Sequence, residues 1–213
     1  AAATFRSNFG CGMHEGDVRE LLPSLEPGMA DVVFGGPPCQ GFSVAGKMDP
    51  SDPRSGLVMA FMEAVARVRP KAFVMENVDA LAKLAKWAGT LGAIREAAAR
   101  AGYGVHVEVL DASRFGVPQK RHRMFMWGAA GRTDHEVEAA VLGSLAESMT
   151  AQTPSFSVFS TLGPAGTERN PATATAAITF ARNPILRRSA YAGMLFNGAG
   201  RPVDPAEPAP TMA

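Results

Sequence analysis

Asp31-Val32-Val33-Phe34-Gly35-Gly36-Pro37-Pro38-Cys39-Gln40-Gly41-Phe42-Ser43 is the stretch that decides how this chain folds. Its first four residues read as a short buried strand. Gly35-Gly36-Pro37-Pro38 then stops that strand with two residues of high backbone freedom followed by two of almost none. Such a loop presents Cys39 instead of hiding it in a core. Working outward, residues 57–68 carry Leu57, Phe61, Val65 and Val68 at helical spacing, and Pro70 closes that helix. Residues 72–75 form a second buried strand, and 79–101 read as helical with an interruption near Gly89, ended by Gly102 and Gly104. Residues 105–110 alternate outward His106 and Glu108 with inward Val105, Val107 and Val109, the pattern of a strand near the margin of a sheet. Residues 124–128 make a fourth strand. Short Val- and Phe-rich runs alternating with helical stretches predict an α/β fold, a mostly parallel sheet with helices on both faces.

The composition suits one ordinary domain. Of 213 residues, 46% are hydrophobic and 19% charged, enough apolar side chain for a sizeable core. No run approaches the roughly 20 apolar residues that span a bilayer, and the start has neither the basic end nor the apolar stretch of a secretory signal, so a cytoplasmic protein with no membrane partner is expected. The net charge of +1 is uninformative about nucleic acid, which needs a local basic footprint. The segment from Ser113 to Met124 supplies one: Arg114, Lys120, Arg121 and Arg123 with no acid among them, and Arg182, Arg187 and Arg188 extend it. Cys11 reads as a small structural residue, and His14, His106, His122 and His135 show no metal-ligand spacing, so no metal site is expected. Beyond about Gly131, apart from a helix over 136–147, the chain turns to Thr, Ser, Pro, Gly and Asn without period, and its last fourteen positions are too rich in Pro for a regular helix.

In open α/β sheets ligands gather on the loops leaving the carboxyl ends of the strands. One such loop carries Cys39. Another is Glu76-Asn77-Val78, an acid delivered at a strand end, where burial and neighbouring groups can raise a carboxyl's pKa and make it a proton donor at neutral pH. Ahead of the last strand lies Gln119-Lys120-Arg121-His122-Arg123, and alternation in an extended chain puts Gln119, Arg121 and Arg123 on one side.

With these three segments in this order, the chain resembles the cytosine-5 DNA methyltransferases, whose motifs are Pro-Pro-Cys-Gln-Gly-Phe-Ser, Glu-Asn-Val and Gln-x-Arg-x-Arg. Gly16-Asp17-Val18, Arg54-Ser55-Gly56-Leu57 and the stretch from Gly200 to Met212 are similar to the family as well. The resemblance implies a Rossmann-like methyltransferase fold and transfer of a methyl group from S-adenosylmethionine to C5 of cytosine in double-stranded DNA. Cys39 would attack C6 of the base. Glu76 would protonate or hydrogen-bond the N3 edge, Arg121 would hold the base carbonyl or the adjacent phosphate, and Arg123 would support the loop carrying Cys39. For the cofactor, the resemblance implies Asp17 at the adenine end, with Pro37 and Leu57 as apolar wall. The target base must leave the stack, and Gln40 and Ser43 are candidates for filling the gap and touching the backbone, with Arg54, Gln119 and Lys120 also facing DNA. A restriction-modification or epigenetic-marking role in a bacterium fits such an enzyme. Two alternatives stand beside it: a tRNA methyltransferase of the same fold, against which Ser43 counts because those relatives usually carry Thr there, and an idle DNA-binding module.

Members of the family open with a Phe-x-Gly-x-Gly turn and a ribose-binding acid, and neither is found here. Thr4 to Phe9 is similar to the helix that follows that acid. Residues 1–130 are therefore expected to form a catalytic domain lacking its first strand, which would bare strand edges within the sheet, and 131–213 a connecting segment leading into an incomplete target-recognition region. A fragment of an active enzyme is favoured over a degenerate remnant or one chain of a split enzyme completed by a second chain.

Overall fold

The computed structural model describes residues 2–9, 13–38, 56–117 and 119–150, together with the backbone of 195–196, 202–203 and 209–210. In chain order these form helices α1 (Ala2–Phe9) and α2 (Val18–Leu21), strand β1 (Val32–Gly35), α3 (Leu57–Val68), β2 (Ala72–Val78), α4 (Ala80–Lys83), α5 (Ala88–Arg100), β3 (Tyr103–Asp111), β4 (Gln119–Lys120), β5 (His122–Ala130) and α6 (Asp134–Thr150). The two-residue strands β6 (Leu195–Phe196), β7 (Pro202–Val203) and β8 (Ala209–Pro210) follow. The chain divides into two compact units, Ala1–Glu108 with Phe125–Val141, and Val109–Met124 with Leu142–Ala213.

The expected α/β architecture is present. Four strands form one sheet in the order β1-β2-β5-β3, with β3 at the margin where its pattern puts it. β1 and β2 are parallel, with Val32 opposite Ala72 and Gly35 opposite Met75. The sheet is mixed: only residues 112–121 join β3 to its neighbour β5, too short a connection for the crossover that parallel neighbours need.

Alternation along β2 decides which side is the core. Phe73, Met75 and Asn77 are buried, and the Phe73 ring meets Phe61 of α3 and Tyr103 of β3 edge-on, at centroid distances of 6.2 and 5.4 Å. Burying an aromatic of this size contributes about 1.5–3 kcal/mol. Gly128 of β5 lies on the same face, and a Cβ there would stand 2.0 Å from the edge of the Phe73 ring, so the close approach requires glycine. The Tyr103 hydroxyl donates to the Pro70 carbonyl at 2.6 Å and thereby secures the turn between α3 and β2. On the opposite face α6 begins: Asp134 Oδ1 accepts the Val105 N–H at 2.7 Å, and Val137, Ala140 and Val141 wall a shallow apolar hollow with Val74 and Trp127.

Helix α3 has the expected limits, yet it buries Val58, Met62 and Ala64 as well as Val65 and Val68, while Leu57 and Phe61 are only half-buried. It packs against α5 as well as the sheet, so more than one stripe is covered. Arg69 ends it in the left-handed region at φ 51°, its N–H bonded to the Val65 carbonyl at 2.9 Å. The interruption in the next helical stretch falls at Leu84, which is extended between α4 and a 3-10 turn at Ala85–Trp87; Gly89 sits inside α5. Burial of both Leu81 and Trp87 accounts for the shift, because a continuous helix would not turn both inward. In β3, Val105 is buried as expected, but Val107 and Val109 are only half-buried, and His106 does not face water: its ring stacks on Trp127 at 6.4 Å with only 12% of the side chain exposed. In β1, Val32 and Phe34 are exposed, Phe34 by 81%, on the face away from α3.

Candidate active site

The parallel register of β1 and β2 brings two of the three expected segments side by side. Because Gly35 lies opposite Met75, Gly36 leaves β1 beside Glu76, which is still within β2: the strand expected to end at residue 75 runs on to Val78. A Cβ on Gly36 would stand 3.1 Å from Glu76 Oε2, so the second glycine of the pair makes room for the carboxylate. Asn77, 1% exposed, points the other way and closes the arrangement: its Nδ2 donates to the Pro37 carbonyl at 3.2 Å, and its Oδ1 accepts the Val78 N–H at 2.9 Å. A buried side chain on β2 thus ties down the base of the Pro-Pro loop. Read from sequence, Asn77 is merely a possible cap. The signal available was its place beside an acid at the end of a buried strand, where a polar side chain must find a partner.

Cys39, the expected nucleophile, lies outside the described residues, as do Gln40, Ser43 and Arg54. Pro37 is half-buried and Pro38 exposed at the mouth of the loop. Leu57 opens α3 and packs with Leu25 against Leu22, Ala60 and Ala64. Asp17 caps α2: its Oδ1 accepts the Arg19 backbone N–H at 2.9 Å, and the Arg19 guanidinium bonds both carboxylate oxygens. Those bonds bring the Asp17 carboxyl down to about 2.

The basic segment belongs to the second unit. Its exposure alternates as expected: Gln119, Arg121 and Arg123 are half-buried, and Lys120 and His122 exposed. β4 pairs in parallel with β8, Gln119 opposite Ala209 and Lys120 opposite Pro210. Arg123 Nη1 donates to the His122 carbonyl at 2.7 Å. Ahead of the segment the chain leaves β3 through a 3-10 turn at Ala112–Phe115 and reverses at Gly116, φ 80°. Asp111 organises this reversal. Its Oδ1 accepts the N–H of Ser113 and that of Arg121, each at 3.1 Å, and its Oδ2 lies 3.7 Å from His122 Nε2. Burial pushes the Asp111 carboxyl up, but the bonds from Ser113 and Arg121 and the nearby His122 outweigh it, and the net displacement is downward. Asp111 is the residue that sequence reading misses: the basic segment looks free of acids only because the count starts at Ser113. Glu76 lies in the first unit and Arg121 in the second. Among the described residues, no helix is long and apolar enough to cross a membrane and no cluster of three or more His, Cys, Asp or Glu could hold a metal.

Comparison with known proteins places this geometry in context. The profile of the C-5 cytosine-specific DNA methylases matches residues 1–164. The Type II methyltransferase M.AgeI of Thalassovita gelatinovora is 44% identical over 113 residues, covering 53% of this chain and 26% of that protein. M.HindV of Haemophilus influenzae is 38% identical over 131 residues, covering 60% of this chain and 42% of that one. The chain therefore spans less than half the length of either relative. Among solved structures, the Entamoeba histolytica methyltransferase EhMeth matches with a TM-score of 0.47 and 17% identity, covering 60% of this chain and 41% of that one.

Proposed function

Because the chain belongs to the C-5 cytosine-specific DNA methylase family, we propose that it transfers a methyl group from S-adenosylmethionine to C5 of cytosine in double-stranded DNA, with residues 1–130 as its catalytic part. The observation that carries this reading is the placement of Glu76 against Gly36, with Asn77 tying the same loop two residues before Cys39. Cytosine C5 is a poor nucleophile. Attack of the Cys39 thiolate on C6 forms an S–C6 bond and pushes electron density through the ring toward N3 and C5. Glu76 donates a proton to N3 and so offsets the charge that attack develops. Arg121 acts as an electrostatic clamp on the base carbonyl or the adjacent phosphate. Once C5 is methylated, a base removes the C5 proton, the S–C6 bond breaks, the thiolate leaves and the N3 proton returns to Glu76. The target cytosine reaches this site flipped out of the stack, with Gln40 and Ser43 filling its place and Arg54, Gln119 and Lys120 along the backbone.

The residues at the end of β1 fit the cofactor. Gly35 and Gly36 have no side chain, Phe34 offers an exposed ring and Pro37 a half-buried one at a strand's carboxyl end, and Asp17 is held as a carboxylate that can still accept from an amino group. Pro37, Leu57 and Asp17 would hold it, and when bound it supplies an electrophilic methyl group. The relatives' names, Type II methyltransferases, support a restriction-modification setting.

The test is covalent trapping. With S-adenosylmethionine and a duplex carrying 5-fluorocytosine, whose C5 fluorine cannot leave as a proton does, the chain should form a stable adduct that Cys39→Ser abolishes. An adduct on tRNA but not on DNA would replace the substrate. Equal adduct with Cys39→Ser would overturn the mechanism.

A further inference from the structure

Asp111 sits ten positions before Arg121 and holds that residue's main chain from one side while its neighbour holds the other. Asp111 Oδ1 takes the Arg121 N–H at 3.1 Å, and the Arg121 carbonyl takes the Ala112 N–H at 3.0 Å. The same Oδ1 takes the Ser113 N–H at 3.1 Å, which locks the turn through which the holding residues arrive. We propose that Asp111 is the positioning residue for Arg121, fixing the origin of the guanidinium by bracing its backbone at the end of β3. This rests on the reading of Arg121 as the clamp on the flipped cytosine.

The chemistry of the brace is specific. An arginine side chain has many rotatable bonds, and a clamp built on it is only as accurate as the α-carbon from which it starts. Arg121 lies between β4 and β5, where no strand ladder holds it, so the two bonds from Asp111 and Ala112 replace the ladder. The Ser113 and Arg121 N–H groups go to one oxygen, and a carboxamide keeps an acceptor at that place, though a weaker one than the carboxylate. The other carboxylate oxygen faces His122, whose side chain is 52% exposed, so water screens that pairing. Acceptance at Oδ1 is therefore the property that an asparagine keeps and an alanine loses.

Four variants of the full chain test this: Asp111→Asn, Asp111→Ala, Arg121→Ala and the double Asp111→Ala/Arg121→Ala. The first readout is hydrogen exchange of the Arg121 amide by NMR, which needs no turnover, with the amides of Phe73 and Met126 reporting that the sheet is intact. Asp111→Ala should speed Arg121 exchange by at least about tenfold, the loss of one hydrogen bond at a part-buried site, and Asp111→Asn should restore protection. The second readout is methylation of a cytosine-containing duplex. Asp111→Ala should lower kcat by on the order of a hundredfold, as a misplacement of about 1 Å does, with KM for S-adenosylmethionine unchanged. Asparagine should recover most of that loss, and the double variant should be no worse than Arg121→Ala. Unchanged Arg121 exchange in Asp111→Ala overturns the proposal, as does an equal loss with asparagine and alanine. Full methylation by Asp111→Ala while Arg121→Ala is impaired removes Asp111 alone. Full methylation by Arg121→Ala removes the clamp reading and Asp111's part in the reaction with it.

Discussion

A methyl group on the α-carbon of Gly36 would sit 3.1 Å from Oε2 of Glu76, tighter than an ordinary van der Waals contact. Gly36 follows β1 and Glu76 lies in β2, and the parallel register of the two strands brings them together. Gly36→Ala should therefore act on chemistry more than on folding. The carboxylate must give way by a few tenths of an ångström, and kcat for methyl transfer should fall roughly tenfold while the melting temperature moves little. Equal kcat in glycine and alanine forms would mean that the carboxylate's position there does not matter.

Glu76→Gln keeps the size of the side chain but has no proton to transfer. Single-turnover methylation should slow by about 10²–10⁴-fold, the range of a lost general acid. S-adenosylmethionine binding, measured by calorimetry, should be retained.

Asn77→Asp should be worse for stability than its size suggests. An ionised carboxylate there would face the Pro37 carbonyl, 3.2 Å from the present Nδ2, with no donor to offer it. A loss of about 1–3 kcal/mol in urea unfolding is expected, the cost of an unsatisfied buried polar group.

Two glycines make opposite predictions. Gly128→Ala drives a methyl group into the Phe73 ring and should cost about 1–3 kcal/mol through overpacking. Gly143→Ala, inside α6 with nothing within 4 Å of the new Cβ, should stabilise by roughly 0.5–1 kcal/mol. Thermal unfolding of the pair separates a glycine that is needed from one that is merely tolerated.

Asp17 should titrate with a midpoint of about 2 in a carbon-detected NMR experiment, below its ordinary 3.8. Since the folded value is the lower one, the capping interaction is fully present above the unfolded pKa and is lost as pH falls toward the folded one. Arg19→Ala should return the midpoint toward the ordinary value, because Arg19 side-chain bonding is the main cause of the shift.

Much of the sheet is legible because punctuation and period agree. Gly35-Gly36-Pro37-Pro38 ends β1 where two φ-permissive residues meet two rigid ones, and helix α3 runs the full 57–68 that its apolar spacing predicts. Legibility fails where packing partners are distant. The break at Leu84 depends on Leu81 and Trp87 both finding the core, which no local pattern near Gly89 discloses. His106 looks outward by alternation, yet Trp127, twenty-one positions later, covers it. The site divides in the same way. Glu76 stands out as an acid at a strand end, whereas Asn77 and Asp111 matter through backbone groups forty and ten positions away. A side chain that bonds main chain leaves no complementary residue type for a reader to find.

The order of strands in the sheet sets a timetable for synthesis. β5 is the last of the four to be made, yet it takes an inner place between β2 and β3. Until residue 130 has left the ribosome, both neighbours wait with hydrogen-bonding edges unfilled, for on the order of a second or more at ordinary elongation rates. The insertion of β5 is thus a late closure, and any delay between the emergence of β3 and that of residue 130 prolongs the exposure of two pairing-competent edges.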